Sequence, residues 1–253
     1  MKFFLEDGAS YIDTECGLDL SIPIGGNFPK VKAWYLDDPK IEPVQAEGFI
    51  GSVEAGAAVN FRNIQFNPHA HGTHTESLGH ITREVHSVNT ILHPLFYKAK
   101  VVSIVPEQIK NKSAVDFVIT TAQFRSLELG HDKYEALIVR TLPNDSNKLN
   151  RDYSHTNPCY FEREVAEIVV EAGIRHFLVD LPSVDREEDE GVLAFHHLFW
   201  GVPENPAVDR TITEFIFVND TITDGDYLLN LQVAPFENDA SPSRPVLYKI
   251  YVK

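Results

Sequence analysis

Apolar runs and alternating runs separate clearly along this chain. KAKVVSIVP (98–106) and EALIVRTL (135–142) are apolar at almost every position, the pattern of strands covered on both faces. HFLVDLP (176–182) reads as a third buried strand. LDLSIPIG (18–25) alternates apolar with polar residues before a Gly-Gly-Asn turn, and KVKAWYL (30–36) predicts a strand after it. AAVNFRNIQFN (57–67) predicts another, with a bulge or bend where alternation fails between Phe61 and Ile64. TITEFIFV (211–218), DYLLNLQVAPF (226–236) and RPVLYKIYV (244–252) complete the set, separated by loops rich in Gly, Asn, Asp, Ser and Pro.

Helical spacing is clearest over 161–172. Val165, Ile168, Val169 and Ala172 form one stripe, Glu164, Glu167 and Glu171 face away, and Gly173 suits the stop. Val85, Val88, Ile91 and Leu92 are also spaced as a helix stripe. Thr120 or Thr121 can cap a segment around 124–129 that stops at Gly130. A short helix is expected over VLAFHHLFWG (192–201), after the acidic turn DREEDEG. A helix followed by a buried strand, as at 161–182, argues for α/β construction with helices packed on a sheet. No linker, repeat or low-complexity tract divides the chain, so a single domain over 1–253 is expected.

Charge narrows the partners. With 22 basic and 37 acidic residues the formal charge is −15, which repels phosphate backbones and anionic membranes, so neither nucleic acid nor membrane is an expected partner. Two cysteines, Cys16 and Cys159, make no disulfide framework. No apolar run approaches the length of a membrane span, and MKFFLEDGAS develops no signal-peptide core, so a cytoplasmic protein is expected.

The chemistry concentrates in NPHAHGTHTESLGH (67–80), which holds four of the eleven histidines. On an extended chain His74 and Glu76 point to one side, and a turn at Gly79 can return His80 to them. Gly72 permits a positive φ or a close backbone approach, and Thr73 can hold a neighbour by hydrogen bonding. Imidazole and carboxylate suit a first-row divalent ion, although the spacing matches neither a zinc finger nor a His-Glu-x-x-His helix. The competing reading is a His-rich loop that makes ordinary hydrogen bonds. Further ligands must come from elsewhere. His196 is one candidate, with His197 as its competitor; Glu214 is another, on a strand where it shares a side with Ile212 and Ile216. Glu214 among apolar neighbours is costly without a partner, which a cation can be; the alternative is a solvent-facing residue on an edge strand.

The segment Ala70-His71-Gly72-Thr73-His74-Thr75-Glu76-Ser77-Leu78-Gly79-His80 resembles the motif His-x-Gly-Thr-His-x-Asp-x-Pro-x-His of the cyclase family of metal-dependent hydrolases, which includes bacterial kynurenine formamidases and isatin hydrolases. LDLSIPI, VDLPSVD, FHHLFWG and TITEFI resemble further family landmarks, in family order over nearly the whole chain. The resemblance implies a swivelling β/β/α fold, with a mixed barrel-like sheet surrounded by helices. It implies hydrolysis of a small amide, formamide, cyclic amide or lactone by metal-activated water, with one or two zinc or manganese ions, and a homodimer. Carried over by position, His74, Glu76, His80, His196 and Glu214 become metal-site candidates. Three departures matter: Ala70 stands at the first ligand position, Glu76 replaces Asp and Leu78 replaces Pro. His69 or His71 is expected to substitute for Ala70, with His69 preferred. His80, Glu214 and His197 are the expected catalytic groups, with His197, His69 or a metal-bound carboxylate as the proton carrier. Asp180 is expected to orient a ligand histidine. Trp34, Phe199 and Trp200 are candidates for an aromatic substrate pocket, against a competing reading as core. Ala70 also keeps open a noncatalytic, metal-stabilised family member.

Overall fold

The most apolar runs lie at the middle of a nine-stranded mixed sheet. A computed structural model describes residues 1–6, 8–25, 31–110 and 115–253. In chain order the strands are β1 (Leu18–Asp19), β2 (His74–Glu76), β3 (Phe96–Ile104), β4 (Ala136–Thr141), β5 (His176–Val179), β6 (Thr211–Glu214), β7 (Gly225–Asn230), β8 (Ala240–Pro242) and β9 (Val246–Lys249). Their spatial order is β8-β2-β6-β5-β4-β3-β7-β9-β1. Strands β6, β5, β4 and β3 are parallel neighbours, and every outer pairing is antiparallel. All six residues of β4 are buried: the apolar run Ala136–Val139 fills both cores, and Arg140 and Thr141 at its end are satisfied by hydrogen bonds.

Alternation along the central strands assigns each side chain to one of two cores. Leu137 and Val139 of β4, with Phe177 and Val179 of β5, pack beneath helices α2 (Thr121–Arg125), α3 (Val165–Glu171) and α4 (Ala194–Trp200). Ala136, Ile138 and Leu178 face the opposite side and meet Leu20, Leu229 and Leu247. Leu229 and Leu247 come from β7 and β9 of the same sheet, so the sheet curls over its own second core. The result is an α/β fold with a curled mixed sheet surrounded by helices.

Several local expectations change. Residues 31–36 form no strand beyond isolated bridges from Lys32 to His71 and Asp152, because Trp34 and Tyr35 both take left-handed conformations with φ near 60°. The turn expected at 25–27 and the start of the 30–36 strand fall on residues 26–30, outside those described. Helix α3 begins at Val165, because Phe161 pairs in parallel with Ile119. Within 57–67 only Arg62–Gln65 is extended, in an exposed pair with Lys40–Pro43. The stripe after His80 yields only the single turn Val88–Ile91, here α1, with Val85 exposed. Thr120 does cap α2, through a capping box with Gln123, but the helix ends at Arg125, before Gly130.

Candidate metal centre

Strand register builds the floor of the site. In the antiparallel pair β2/β6, His74 lies opposite Glu214 and Glu76 opposite Ile212. Alternation places His74, Glu76, Ile212 and Glu214 on one face, while Thr75 and Thr213 hydrogen-bond on the other at 2.8 Å. Phe215 then enters the left-handed region at φ 53°, which breaks the alternation. Ile216 therefore joins the second core rather than sharing a side with Glu214 and Ile212. Gly72 enters β2 with φ 72°, where a Cβ would sit 2.7 Å from Ile24 Cγ1 and 2.9 Å from the Ile22 carbonyl oxygen. Thr73 fixes this crossing: its hydroxyl accepts from the Ile22 amide at 2.7 Å and donates to the Phe215 carbonyl.

A single 3₁₀ turn over Leu78–His80 brings His80 back to the strand, with Ser77 Oγ accepting from the Gly79 amide and Leu78 buried as its anchor. His80 Nε2 lies 4.0 Å from Glu76 Oε2. From α4, His196 points its Nε2 at Glu76 Oε1, 3.1 Å away, while its Nδ1 meets Asp185 Oδ2 at 2.6 Å. Asp185 also accepts from the Phe195 and His196 amides and thereby caps α4 from a preceding loop. His69 completes the ring, with Nδ1 3.0 Å from Glu76 Oε2 and Nε2 2.8 Å from Asp239 Oδ2. His69, His74, Glu76, His80, His196 and Glu214 thus converge on one site.

Other expected residues lie elsewhere. His197 turns its Nδ1 to the Val202 carbonyl at the end of α4. It is half-buried away from the cavity, since consecutive helix positions diverge by about 100°. His71 uses both ring nitrogens locally, accepting from the Asn67 amide and meeting the Asp37 carbonyl. Phe199 and Trp200 are fully buried in the first core rather than lining a substrate pocket, and Trp200 satisfies its indole N–H on the Arg210 carbonyl. Trp34 does line the cavity over the site. Asp180 orients no histidine; Thr141 and Lys148 occupy its carboxylate. Asp185 takes that part for His196. Asp239 went unforeseen: it stands just before β8, and the pairing of Ala240 with Glu76 brings it alongside the site. Its loop, Glu-Asn-Asp, carries no signal that distinguishes it from other acidic turns.

The cavity has a volume of about 400 Å³ and is lined by Trp34, Leu36, His69, His80, His196 and Glu214 among others, a size that suits a small organic molecule. Its charges are strongly coupled. Burial opposes charge on His69 and His196, yet their paired carboxylates outweigh it and hold both imidazoles up at about 10. Burial also works against Glu76, but His80, His196 and His69 hold its carboxyl well below the usual range. Glu214 moves the other way, pushed up by burial and by the negative charge of Glu76.

Of six buried side-chain atoms without a hydrogen bond among the described residues, three lie at this site: His74 Nε2, Glu76 Oε2 and Glu214 Oε1. Near approaches of 3.0 Å from His69 to Glu76 and 3.3 Å from His74 to Glu214 do not align as hydrogen bonds. Unpaired buried atoms are costly, and clustered unpaired donors and acceptors of this type fit a cation. The ligand atoms of His69, His74 and Glu76 lie within 4.8 Å of one another, as do those of Glu76, His80 and His196 and those of His69, His80 and Asp239. The set is nitrogen and oxygen only, with no thiolate, donors that suit a divalent cation.

Comparison with known proteins gives the family and the fold. Residues 18–186, more than half of the chain, match the family described as "Putative cyclase". Kynurenine formamidase of Bacillus cereus is 26% identical over 237 residues, covering 92% of this chain and 97% of the relative. Among solved structures, isatin hydrolase A from Ralstonia solanacearum superposes with a TM-score of 0.66 at 16% identity, covering 92% of this chain and 91% of that one. Isatin hydrolase A from Labrenzia aggregata, bound to benzyl benzoate, gives 0.65 at 16% identity over 96% and 95%. With a family match over most of its strands and helices and a full-length likeness in fold, this chain belongs to the cyclase family.

Proposed function

We propose that the protein is a metal-dependent hydrolase of a small amide, formamide, cyclic amide or lactone, with zinc or manganese held by residues from His69, His74, Glu76, His80, His196 and Glu214. The observation that carries the reading is the set of three unpaired buried atoms, on His74, Glu76 and Glu214, carried on one face of the β2/β6 pair beside a cavity of substrate size. A divalent cation bound there supplies Lewis acidity toward a carbonyl oxygen and a water of lowered pKa.

The chain's own residues do the rest. Asp185 fixes the ring of His196 so that Nε2 faces Glu76. Glu214, beside His74 on the lining of the cavity, is placed to carry a proton on whichever carboxyl oxygen does not hold the cation and to pass it to a leaving nitrogen or oxygen. His80 stands at the rim with its side chain 32% exposed, placed to exchange protons with solvent. Trp34 and Leu36 form an apolar wall that favours a ring-bearing substrate and limits water.

The test is reconstitution with zinc or manganese and assay of a panel of aryl formamide, cyclic amide, lactone and simple ester. Turnover that disappears with chelator and with Glu214→Gln supports the reading. Tight cation binding without turnover would favour a noncatalytic, metal-stabilised member, the alternative that Ala70 motivates. We also propose a homodimer, because the exposed arm carrying Phe49, Ile50, Val53, Phe61 and Ile64 leaves apolar surface in water. Light scattering at micromolar concentration tests it, and a monomeric mass refutes it.

A further inference from the structure

We infer that Asp239 and His69 form a carboxylate–imidazole arm that supplies, through His69 Nδ1, the cation ligand Ala70 cannot. This rests on the metal-site reading above and assigns Asp239 as a positioning residue. Ala70 is fully buried and ends in a methyl group. Of its two histidine neighbours, His71 has both ring nitrogens engaged, on the Asn67 amide and the Asp37 carbonyl. His69 faces the site, and its ring stacks on His80 with centroids 4.2 Å apart.

Asp239 decides which nitrogen is free. An ionised carboxylate only accepts, so Asp239 Oδ2, 2.8 Å from His69 Nε2, requires a proton on Nε2 and leaves Nδ1 to face Glu76 Oε2. That is the arrangement in which a carboxylate orients a metal-bound histidine. The same layout occurs across the site, where Asp185 holds His196 Nδ1 and Nε2 is directed at the other oxygen of Glu76. The two arms face the two different oxygens of Glu76. Backbone contacts fix the His69 arm as well: Trp34 Nε1 donates to the His69 carbonyl at 3.1 Å, and the His69 amide donates to Asn67 Oδ1 at 2.9 Å. The Asp239 carbonyl in turn accepts from the Ser77 amide at 2.9 Å, which ties its loop to the end of β2.

The experiment measures cation binding rather than turnover. The full chain is stripped with chelator and titrated with zinc in competition with a chromophoric chelator; cobalt(II) spectra report ligand geometry. His69→Ala should lose one cation per chain or weaken it at least 100-fold, and His71→Ala should change nothing. Asp239→Ala should weaken the same cation roughly 10- to 100-fold and shift the cobalt spectrum, with partial recovery in Asp239→Asn, which keeps an acceptor. A purely structural Asp239 would lower the melting temperature in chelator yet leave the competition curve of the folded protein unmoved, which overturns the inference. If His74→Ala abolishes binding while His69→Ala and Asp239→Ala bind as the native chain does, the metal reading stands and this inference falls. If the native chain binds no cation, both fall.

Discussion

Asp185 is the position at which one substitution tests fold and site together. Its carboxylate is buried and accepts three hydrogen bonds, from the Phe195 amide at 2.8 Å, the His196 amide at 3.2 Å and His196 Nδ1 at 2.6 Å. Helix α4 has no capping side chain of its own, since Leu193 stands at its N-cap in a left-handed conformation. In Asp185→Ala, three buried donors lose their acceptor; at about 1–3 kcal/mol each the sum is an upper bound, because the first turn of α4 can fray toward water. A net loss of about 3–5 kcal/mol is expected, as when one partner of a buried ion pair is removed. Asp185→Asn keeps one acceptor oxygen but turns an amide N–H₂ toward donors, so about 1–2 kcal/mol is expected. Urea unfolding of the chelator-treated protein is the assay, with a lowered midpoint and an unchanged slope as the sign of a pure stability effect. A loss below about 1 kcal/mol in Asp185→Ala would refute the claim that this carboxylate holds α4, and with it the account of how His196 is aimed.

Three further outcomes follow from burial elsewhere. His176 sits against Thr211 Oγ1 and Tyr97, and burial, aided by the Arg175 charge, pushes its imidazole down to about 3. The folded value lies below the unfolded one, so the unfolded chain gains the proton first and stability falls as pH drops through 6.5. Linkage gives about 1.4 kcal/mol lost between pH 7.5 and 5.5, a component that should vanish in His176→Gln when unfolding is measured at both values. Lys148 Nζ bonds Asp180 Oδ2 and the Thr141 carbonyl, each at 2.7 Å, in a buried site. Lys148→Met should cost about 3–5 kcal/mol by stranding Asp180, and Lys148→Met with Asp180→Leu should recover part of it; equal losses would contradict the pairing. Gly72→Ala combines a positive φ with contact on Ile22 and Ile24, so at least about 1–3 kcal/mol is expected by thermal melting, and a neutral change would show that the crossing relaxes freely.

What the sequence disclosed follows from which interactions are local. Strands β4 and β5 were legible because a strand buried on both faces has few places for polar residues; β3, expected to be covered on both faces, instead alternates, with Phe96 and Lys98 exposed and Lys100 and Ser103 partly so. His74 and Glu76 share a side because alternation is a property of two adjacent peptides, and Glu214 joins them because a buried strand that carries a carboxylate needs a partner. Residues 31–36 misled for a local reason that composition hides: Trp34 and Tyr35 resemble strand residues, but their backbone is left-handed, and the turn aims the Trp34 indole at the His69 carbonyl. The choice between His196 and His197 is also hidden, since a short amphipathic helix shows which residues are apolar but not which polar residue meets a distant strand.

Asp180 and Asp185 sharpen the same point. Both flank a buried turn after β5, and both are acidic, yet one serves Lys148 and the other His196. The difference lies in partners 32 and 11 positions away, so it belongs to the topology rather than to the local motif. Asp239 is the extreme case, 170 positions from His69 and next to it only because β8 adds to the free edge of β2. On the inference drawn above, a chain that lacks the first histidine of its motif would take the replacement ligand from the adjacent residue and the group that orients it from the turn before a remote strand. The consequence is that substitutions at β8 should weaken cation binding, though less than loss of a ligand in the motif. Ser241→Pro on β8 provides the check: it perturbs the Ser241–Thr75 segment of the pairing without replacing a candidate ligand, and zinc affinity should fall with Asp239 intact; an unchanged affinity in the folded variant would refute the coupling.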